Sequence, residues 1–266
     1  MDSKPSKPFQ GDLDVYLAAL DSVLPAEAVH GVYLTGSAAL GDYRHGQSDL
    51  DILTLTTRAL TEDELTGLGQ LHKTLETGAQ PHTDAHYISR ECLGKLPLEH
   101  AAGHGYVVDG EFQRGMSGQE LVAWAILDRH GITVRGPEAK SLGAAPDAGE
   151  FKAWNRGNLD GYWRMRALQV HQAISERDPD DEFLPYFAVW LGTGPGRLHR
   201  TIATGEIISK TQCADYTAEL LPGYADLLKR VKASRLGDGS VTFTMNDGRL
   251  LGDLVEEVCD AAKSLP

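Results

Sequence analysis

The apolar run Val32-Tyr33-Leu34 stops at Thr35-Gly36-Ser37, and with eleven residues between it and Ser37 the triplet Asp49-Leu50-Asp51 opens a second β-rich run, Ile52-Leu53-Thr54-Leu55-Thr56. A strand ending in Gly-Ser, a short helical segment and a strand opening with Asp-x-Asp leave the chain few ways to cross between the two strands. Residues two apart in a strand point the same way, so Asp49 and Asp51 project from one face, close enough to share a divalent cation. Magnesium favours a few carboxylates together with substrate phosphates. Two neighbouring carboxylates repel unless a cation or proton relieves them. Gly36 lets the backbone approach a phosphate. Ser37 adds a hydroxyl donor, and the amides at the following helix start add more, with a favourable dipole. Alone, Gly-Ser and Asp-x-Asp each read as a common surface turn. Joined in one strand–turn–strand block, they read as a metal and nucleotide site.

The neighbouring segments extend this block into an α/β unit. Leu13, Tyr16, Leu17, Leu20 and Leu24 fall at helical spacing over residues 12–24, with Pro25 as the stop. Thr61-Glu62-Asp63-Glu64 has the spacing of a capping box and predicts a helix over 61–75. A third strand is predicted over 83–89, closing a compact unit near residue 90. That strand supplies Asp84, as a base for a hydroxyl proton, as a metal ligand, or as both; a capping or turn aspartate is the bland alternative. His86 shares its face and is a second candidate base. In-line nucleotidyl transfer needs an aimed hydroxyl, metals that neutralise phosphates, and such a base.

The second half reads differently. A helix is predicted over 117–129 and an extended stretch over 131–136. A Pro- and Gly-containing linker over 144–149 is a natural boundary. Helices follow over 151–175, 184–202, 209–220, 222–235 and 248–264. Gly192-Thr193-Gly194-Pro195-Gly196 is expected to break the second of these, so that its firm part starts near Pro195. Residues 242–245 read as a strand or a loop. The expected organisation is a mobile tail over 1–10, an α/β domain over 11–146 and a helical domain over 147–266.

Composition narrows the partners. Hydrophobic residues make up 41% and charged residues 24%, ordinary for a globular chain and unlike a low-complexity one. Acids outnumber bases 38 to 25, a net charge of −13. That balance argues against a nucleic-acid binder, leaving only a local basic patch around Lys152, Arg156, Arg164 and Arg166. It suits a cationic partner, or simply solubility. The three cysteines, Cys92, Cys213 and Cys259, form no CxxC pair, so neither a zinc site nor a disulfide framework is expected. With no signal-peptide core and no apolar run of ~18 residues, the expectation is a cytoplasmic monomer without a membrane helix.

On these residues the chain resembles the nucleotidyltransferase superfamily with the polymerase-β-like core. Within it, the chain is similar to the aminoglycoside adenylyltransferases that modify streptomycin and spectinomycin. Three further segments carry the likeness: Gly110-Glu111-Phe112-Gln113-Arg114, Ile132-Thr133-Val134-Arg135-Gly136-Pro137, and Gly196-Arg197-Leu198-His199-Arg200 continuing through Thr201 to Ser209-Lys210. The resemblance implies an α+β fold: an N-terminal polymerase-β-like α/β domain and a C-terminal α-helical bundle. It implies transfer of AMP from ATP, with Mg²⁺, to a hydroxyl of a small cationic aminocyclitol, giving resistance.

Residue by residue, the resemblance makes Asp49 and Asp51 metal-binding acids and puts Asp84 where the family has a glutamate base. Gly36, Ser37, Ser48, Arg197 and Lys210 become nucleotide-binding residues. Phe112 and Trp163 fall at the positions of substrate-stacking tryptophans, with core packing an equal reading of either. Asp178, Asp180, Asp181 and Glu182 are either drug-binding acids or a solvated loop. Arg235 replaces a family tyrosine near the nucleotide. Two other functions stay open: transfer to another small natural product or a protein, and a catalytically lapsed nucleotide-binding module.

Overall fold

In the computed structural model, which describes residues 8–76, 83–95, 102–108 and 110–265, the first apolar run becomes strand β1 (Val29–Leu34). The Gly-Ser that follows opens the four-residue helix α2 (Gly36–Ala39), and the Asp-x-Asp run becomes β2 (Leu50–Thr56). Helix α1 (Gln10–Val23) precedes them, and α3 (Glu62–Glu76) and β3 (Thr83–Ser89) follow. The capping box at the start of α3 forms as read: the Glu64 amide donates to Thr61 Oγ1 and the Thr61 amide to Glu64 Oε2.

The unit does not close near residue 90. The hairpin β4 (Gly105–Val108) and β5 (Glu111–Arg114), helix α4 (Glu120–His130) and β6 (Ile132–Arg135) all belong to it. The six strands lie in the order β5-β4-β3-β2-β1-β6. Only β2 and β3 run parallel. Strands of four residues, with as polar a stretch as Glu111 to Arg114, show too little alternation to announce themselves. One face of the sheet presents Val32, Leu34, Leu50, Ile52, Ala85, Tyr87 and Val107 to Leu13, Tyr16 and Leu20 of α1 and Leu65 and Leu68 of α3. Each valine, leucine or isoleucine among them, once buried, contributes roughly 1.5–3 kcal/mol. Residues 1–7 of the expected tail lie outside the described residues. Phe9 is not tail: it is buried edge-on against Tyr43, ring centroids 5.5 Å apart, and α1 starts at Gln10.

The chain divides into two units, Met1–Asp147 and Ala148–Pro266. The second is helical. Helix α5 (Ala148–Asn158) runs through a π-helical turn, Leu159–Trp163, into α6 (Arg164–Ile174). Then come β7 (Glu182–Phe183), α7 (Pro185–Thr204), α8 (Lys210–Leu220), α9 (Ala225–Arg235), β8 (Phe243–Thr244) and α10 (Met245–Lys263). The ambiguous residues 242–245 supply β8, which pairs with β7, and then Thr244 caps α10 through a box with Asp247.

The expected break in α7 is absent. Three glycines and a proline in a helix interior cost about 1 kcal/mol per glycine and ~3 for the proline. Packing offsets this, because the glycines are where neighbours come closest. A methyl group on Gly192 would meet Val231, one on Gly194 would meet Trp163, and one on Gly196 would meet Thr217 and Cys213. All three cysteines are buried free thiols. Among the described residues, no helix is long and apolar enough to cross a membrane.

Candidate active site

The site begins where β1 ends. The Thr35 amide donates to the Asp51 carbonyl at 3.0 Å, and the Ser37 amide to Asp51 Oδ2 at 3.3 Å. Between them, Gly36 has φ +49°, and a Cβ there would lie 1.8 Å from Asp51 Oδ2. The Asp51 carboxylate thus occupies the space a side chain would need. Ser37 Oγ is buried with no hydrogen-bond partner among the described residues. An orphaned hydroxyl at a helix start suits an anionic ligand.

The loop from α2 delivers the second acid. The Asp42 amide closes on the Ser37 carbonyl at 2.9 Å. The Arg44 amide donates to Ser48 Oγ at 3.0 Å, and the Ser48 amide returns to the Arg44 carbonyl at 2.8 Å. Ser48 is therefore the buried closure of the turn just before Asp49. Burial alternates from exposed Asp49 through buried Leu50 and half-buried Asp51 to buried Ile52, so both aspartates project from the face opposite α1 and α3. Burial, followed by the charges of Asp12 and Asp49, pushes the Tyr43 phenol up to about 12.

The parallel pairing of β2 and β3 supplies the third acid. Asp51 and Asp84 are direct register partners, on strands ~4.8 Å apart. Among the described residues, no group of three His, Cys, Asp or Glu is gathered closely enough to hold a metal ion alone.

Two residues beyond Asp84, His86 Nε2 lies 3.0 Å from Ser117 Oγ, and its ring stacks on Tyr106 at 6.3 Å. Ser117 donates both its amide and its hydroxyl to Glu120 Oε1, the latter at 2.9 Å. Glu120 is 0% exposed, at the start of α4, which packs against α2. Burial lowers the His86 pKa, and the Glu120 charge opposes it. Ser117 and Glu120 are functional candidates that the sequence did not single out. Their Ser-x-x-Glu spacing before an apolar helix was the available signal.

Other expected residues are placed elsewhere. Phe112 lies on the α1–α3 face of the sheet, across it from the carboxylates. Its ring is 6.5 Å from His72 and 6.3 Å from Tyr87, and it fills the space beside Gly69 and Gly105. Half-buried, it packs against the core of that face, which is the core-packing alternative of its two readings. Trp163, 4% exposed, packs on Gly194 and on Trp190 at 5.0 Å in the core of the second unit.

The acidic run organises a turn. Asp178 Oδ1 accepts the Asp180 amide at 3.0 Å, Asp181 pairs with Arg177 at 3.2 Å, and Glu182 pairs with Thr244 in the β7–β8 ladder. Arg197 Nε donates to the Thr193 carbonyl at 3.2 Å, and its charge draws down the Cys213 thiol that burial pushes up to about 11. Lys210 is the first residue of α8, inside the Ser209–Gln212 capping box. The packed pair α7 and α8 therefore carries both cations. The suspected basic patch is largely engaged. Arg156 donates to the Ala262 and Leu265 carbonyls, Arg164 pairs with Asp160 and Asp260, and Arg166 covers the Tyr162 ring at 4.7 Å.

The first unit thus ends a strand in a glycine wedged against one acid, with a second acid in register on the parallel neighbour. Residues 18–100 match the family model of the nucleotidyltransferase domain. Its structure is similar to that of spectinomycin adenyltransferase AAD(9) from Enterococcus faecialis, solved with ATP and spectinomycin. The TM-score is 0.63 at 14% identity, covering 94% of this chain and 98% of that one. At that identity the likeness is one of fold, and it agrees with the expected α+β architecture. No curated protein sequence matches the chain.

Proposed function

We propose that the protein transfers AMP from ATP to a hydroxyl group of a small cationic aminocyclitol of the streptomycin–spectinomycin kind, with Mg²⁺. The observation that carries this reading is the Asp51 carboxylate, seated against Gly36 and Ser37 and in register with Asp84. The acceptor oxygen attacks the α-phosphorus of ATP, the bond to the β-phosphate oxygen breaks, and pyrophosphate leaves. Asp84 takes the hydroxyl proton. Its side chain is one methylene shorter than glutamate, so the acceptor must approach β3 closely. The α2 amides and Ser37 Oγ bind phosphate oxygens. Asp49 and Asp51 would hold Mg²⁺, which neutralises phosphate charge when bound. Arg197 and Lys210 are assigned to the phosphates as further cations. The net charge of −13 supports a cationic acceptor.

A different acceptor is the second reading. It is favoured by the core position of Phe112 and by the local pairing of Asp178 and Asp181, which leave the expected drug contacts unsupported. One experiment separates the two. The pure protein is incubated with ATP, Mg²⁺ and a panel containing streptomycin, spectinomycin and neutral polyols. A mass gain of one AMP on either antibiotic, with pyrophosphate release, is expected. Asp49→Asn combined with Asp51→Asn should abolish that gain. Transfer at the wild-type rate by the double variant would sink the mechanism. Transfer to a neutral polyol alone would sink the aminocyclitol assignment.

A further inference from the structure

The chain from buried Glu120 through half-buried Ser117 to half-buried His86 has a direction that follows from counting protons. A serine hydroxyl has one proton to donate. Glu120 Oε1 accepts that proton at 2.9 Å, along with the Ser117 amide. Ser117 Oγ is therefore the acceptor in its 3.0 Å contact with His86 Nε2, and the imidazole is the donor. The amide of Gln119 also donates to this oxygen, at 3.0 Å. A neutral imidazole with its proton on Nε2 has its lone pair on Nδ1. No described residue bonds Nδ1, and the half-buried ring shares the sheet face of Asp84, two residues away.

The arrangement is maintained against a cost. Glu120 is 0% exposed, and its Oε2 has no hydrogen-bond partner among the described residues. Buried polar atoms are nearly always paired, so an orphaned one calls for an explanation beyond helix capping. Ser117 Oγ meets the Gln119 amide at the start of α4 without any need of His86.

We propose that Glu120 and Ser117 hold His86 as a fixed hydrogen-bond acceptor, and that His86 Nδ1 binds and orients a donor group of the acceptor substrate beside Asp84. Phosphate oxygens next to the acids have no proton to offer a lone pair, so the partner is an O–H or N–H of the acceptor. This rests on the nucleotidyl-transfer reading and adds a specificity residue to it. It favours acceptors that carry a second hydroxyl or an amino group next to the one modified.

The test uses the full chain with ¹⁵N-labelled histidine. A long-range ¹H–¹⁵N correlation spectrum reads the His86 tautomer directly, with the signal assigned by its loss in His86→Asn. A proton on Nε2 is expected, and Ser117→Ala should mix the tautomers. The kinetic arm uses Mg²⁺, ATP and the acceptor that the panel identifies. Asparagine keeps a polar atom near the Nδ1 position, whereas glutamine keeps one near Nε2. His86→Gln should raise the acceptor KM roughly tenfold with the ATP KM unchanged, and His86→Asn should recover most of that loss. A proton on Nδ1 in the free protein overturns the inference, as do equal acceptor KM values in the two variants. A wild-type chain that adenylylates nothing overturns the nucleotidyl-transfer reading as well.

Discussion

At Gly36 two demands fall on one residue. Its φ of +49° is a backbone state that side chains disfavour, and a Cβ would sit 1.8 Å from Asp51 Oδ2. Gly41 separates the two effects, since its φ is +70° with nothing within 4 Å of where a methyl group would sit. Gly41→Ala should therefore cost only the ~1 kcal/mol of backbone strain and leave transfer intact. Gly36→Ala must in addition displace the Asp51 carboxylate, and a loss of roughly 10²-fold in rate is expected, since misplacing a reacting group by about 1 Å costs that much. Pyrophosphate release and thermal unfolding of both variants check the pair. Equal activity would mean that the Gly36–Asp51 contact has no catalytic consequence. The motif marked Gly36 as special in the sequence; the carboxylate that requires a glycine there became visible only in the fold.

Helix α7 presents the same contrast at the scale of an element. Gly-Thr-Gly-Pro-Gly reads locally as a break, yet α7 runs unbroken from Pro185 to Thr204 because other elements press on each glycine. A methyl group on Gly194 would lie 1.9 Å from the Trp163 ring, so Gly194→Ala should destabilise by about 1–3 kcal/mol through overpacking. Gly157, exposed in α5 with nothing within 4 Å, should instead gain up to ~1 kcal/mol on becoming alanine. Denaturant titrations of the two variants should shift in opposite directions. Helix starts are more local than helix continuity. The boxes at Ser209 and Thr244 have the same three-residue spacing as the Thr61–Glu64 box, so all three starts are written in a short window of sequence.

The first unit as a whole is tied together by a buried polar network. Tyr16 of α1 donates to Tyr87 of β3 at 2.9 Å and lies 3.1 Å from Thr54 of β2, and His72 of α3 meets the Tyr87 hydroxyl at 2.7 Å. His72 is 1% exposed, and burial pushes its pKa down from 6.5 to about 4. Between those values the unfolded chain binds a proton that the folded one refuses. Stability from this group is thus complete above pH 6.5 and falls as pH drops towards 4, by at most roughly 3 kcal/mol. Urea midpoints measured across that window should fall, and His72→Gln should flatten the slope attributable to this residue. An unchanged slope in the variant would show that His72 titrates normally.

Short-range physics made part of this protein legible in its residues. Strand alternation put Asp49 and Asp51 on one face, capping chemistry started α3, and the Gly-Ser turn announced the crossing between β1 and β2. These depend on neighbours a few positions apart, whose energetics are present in any local window. Pairings between distant residues were decided by the tertiary structure alone. Among them are the Asp51–Asp84 register across two strands, the continuity of α7, the core position of Phe112 and the joining of His86 to Ser117 and Glu120. Each depends on which surfaces meet, and the free energy of such a meeting belongs to both partners at once, so neither segment contains it alone.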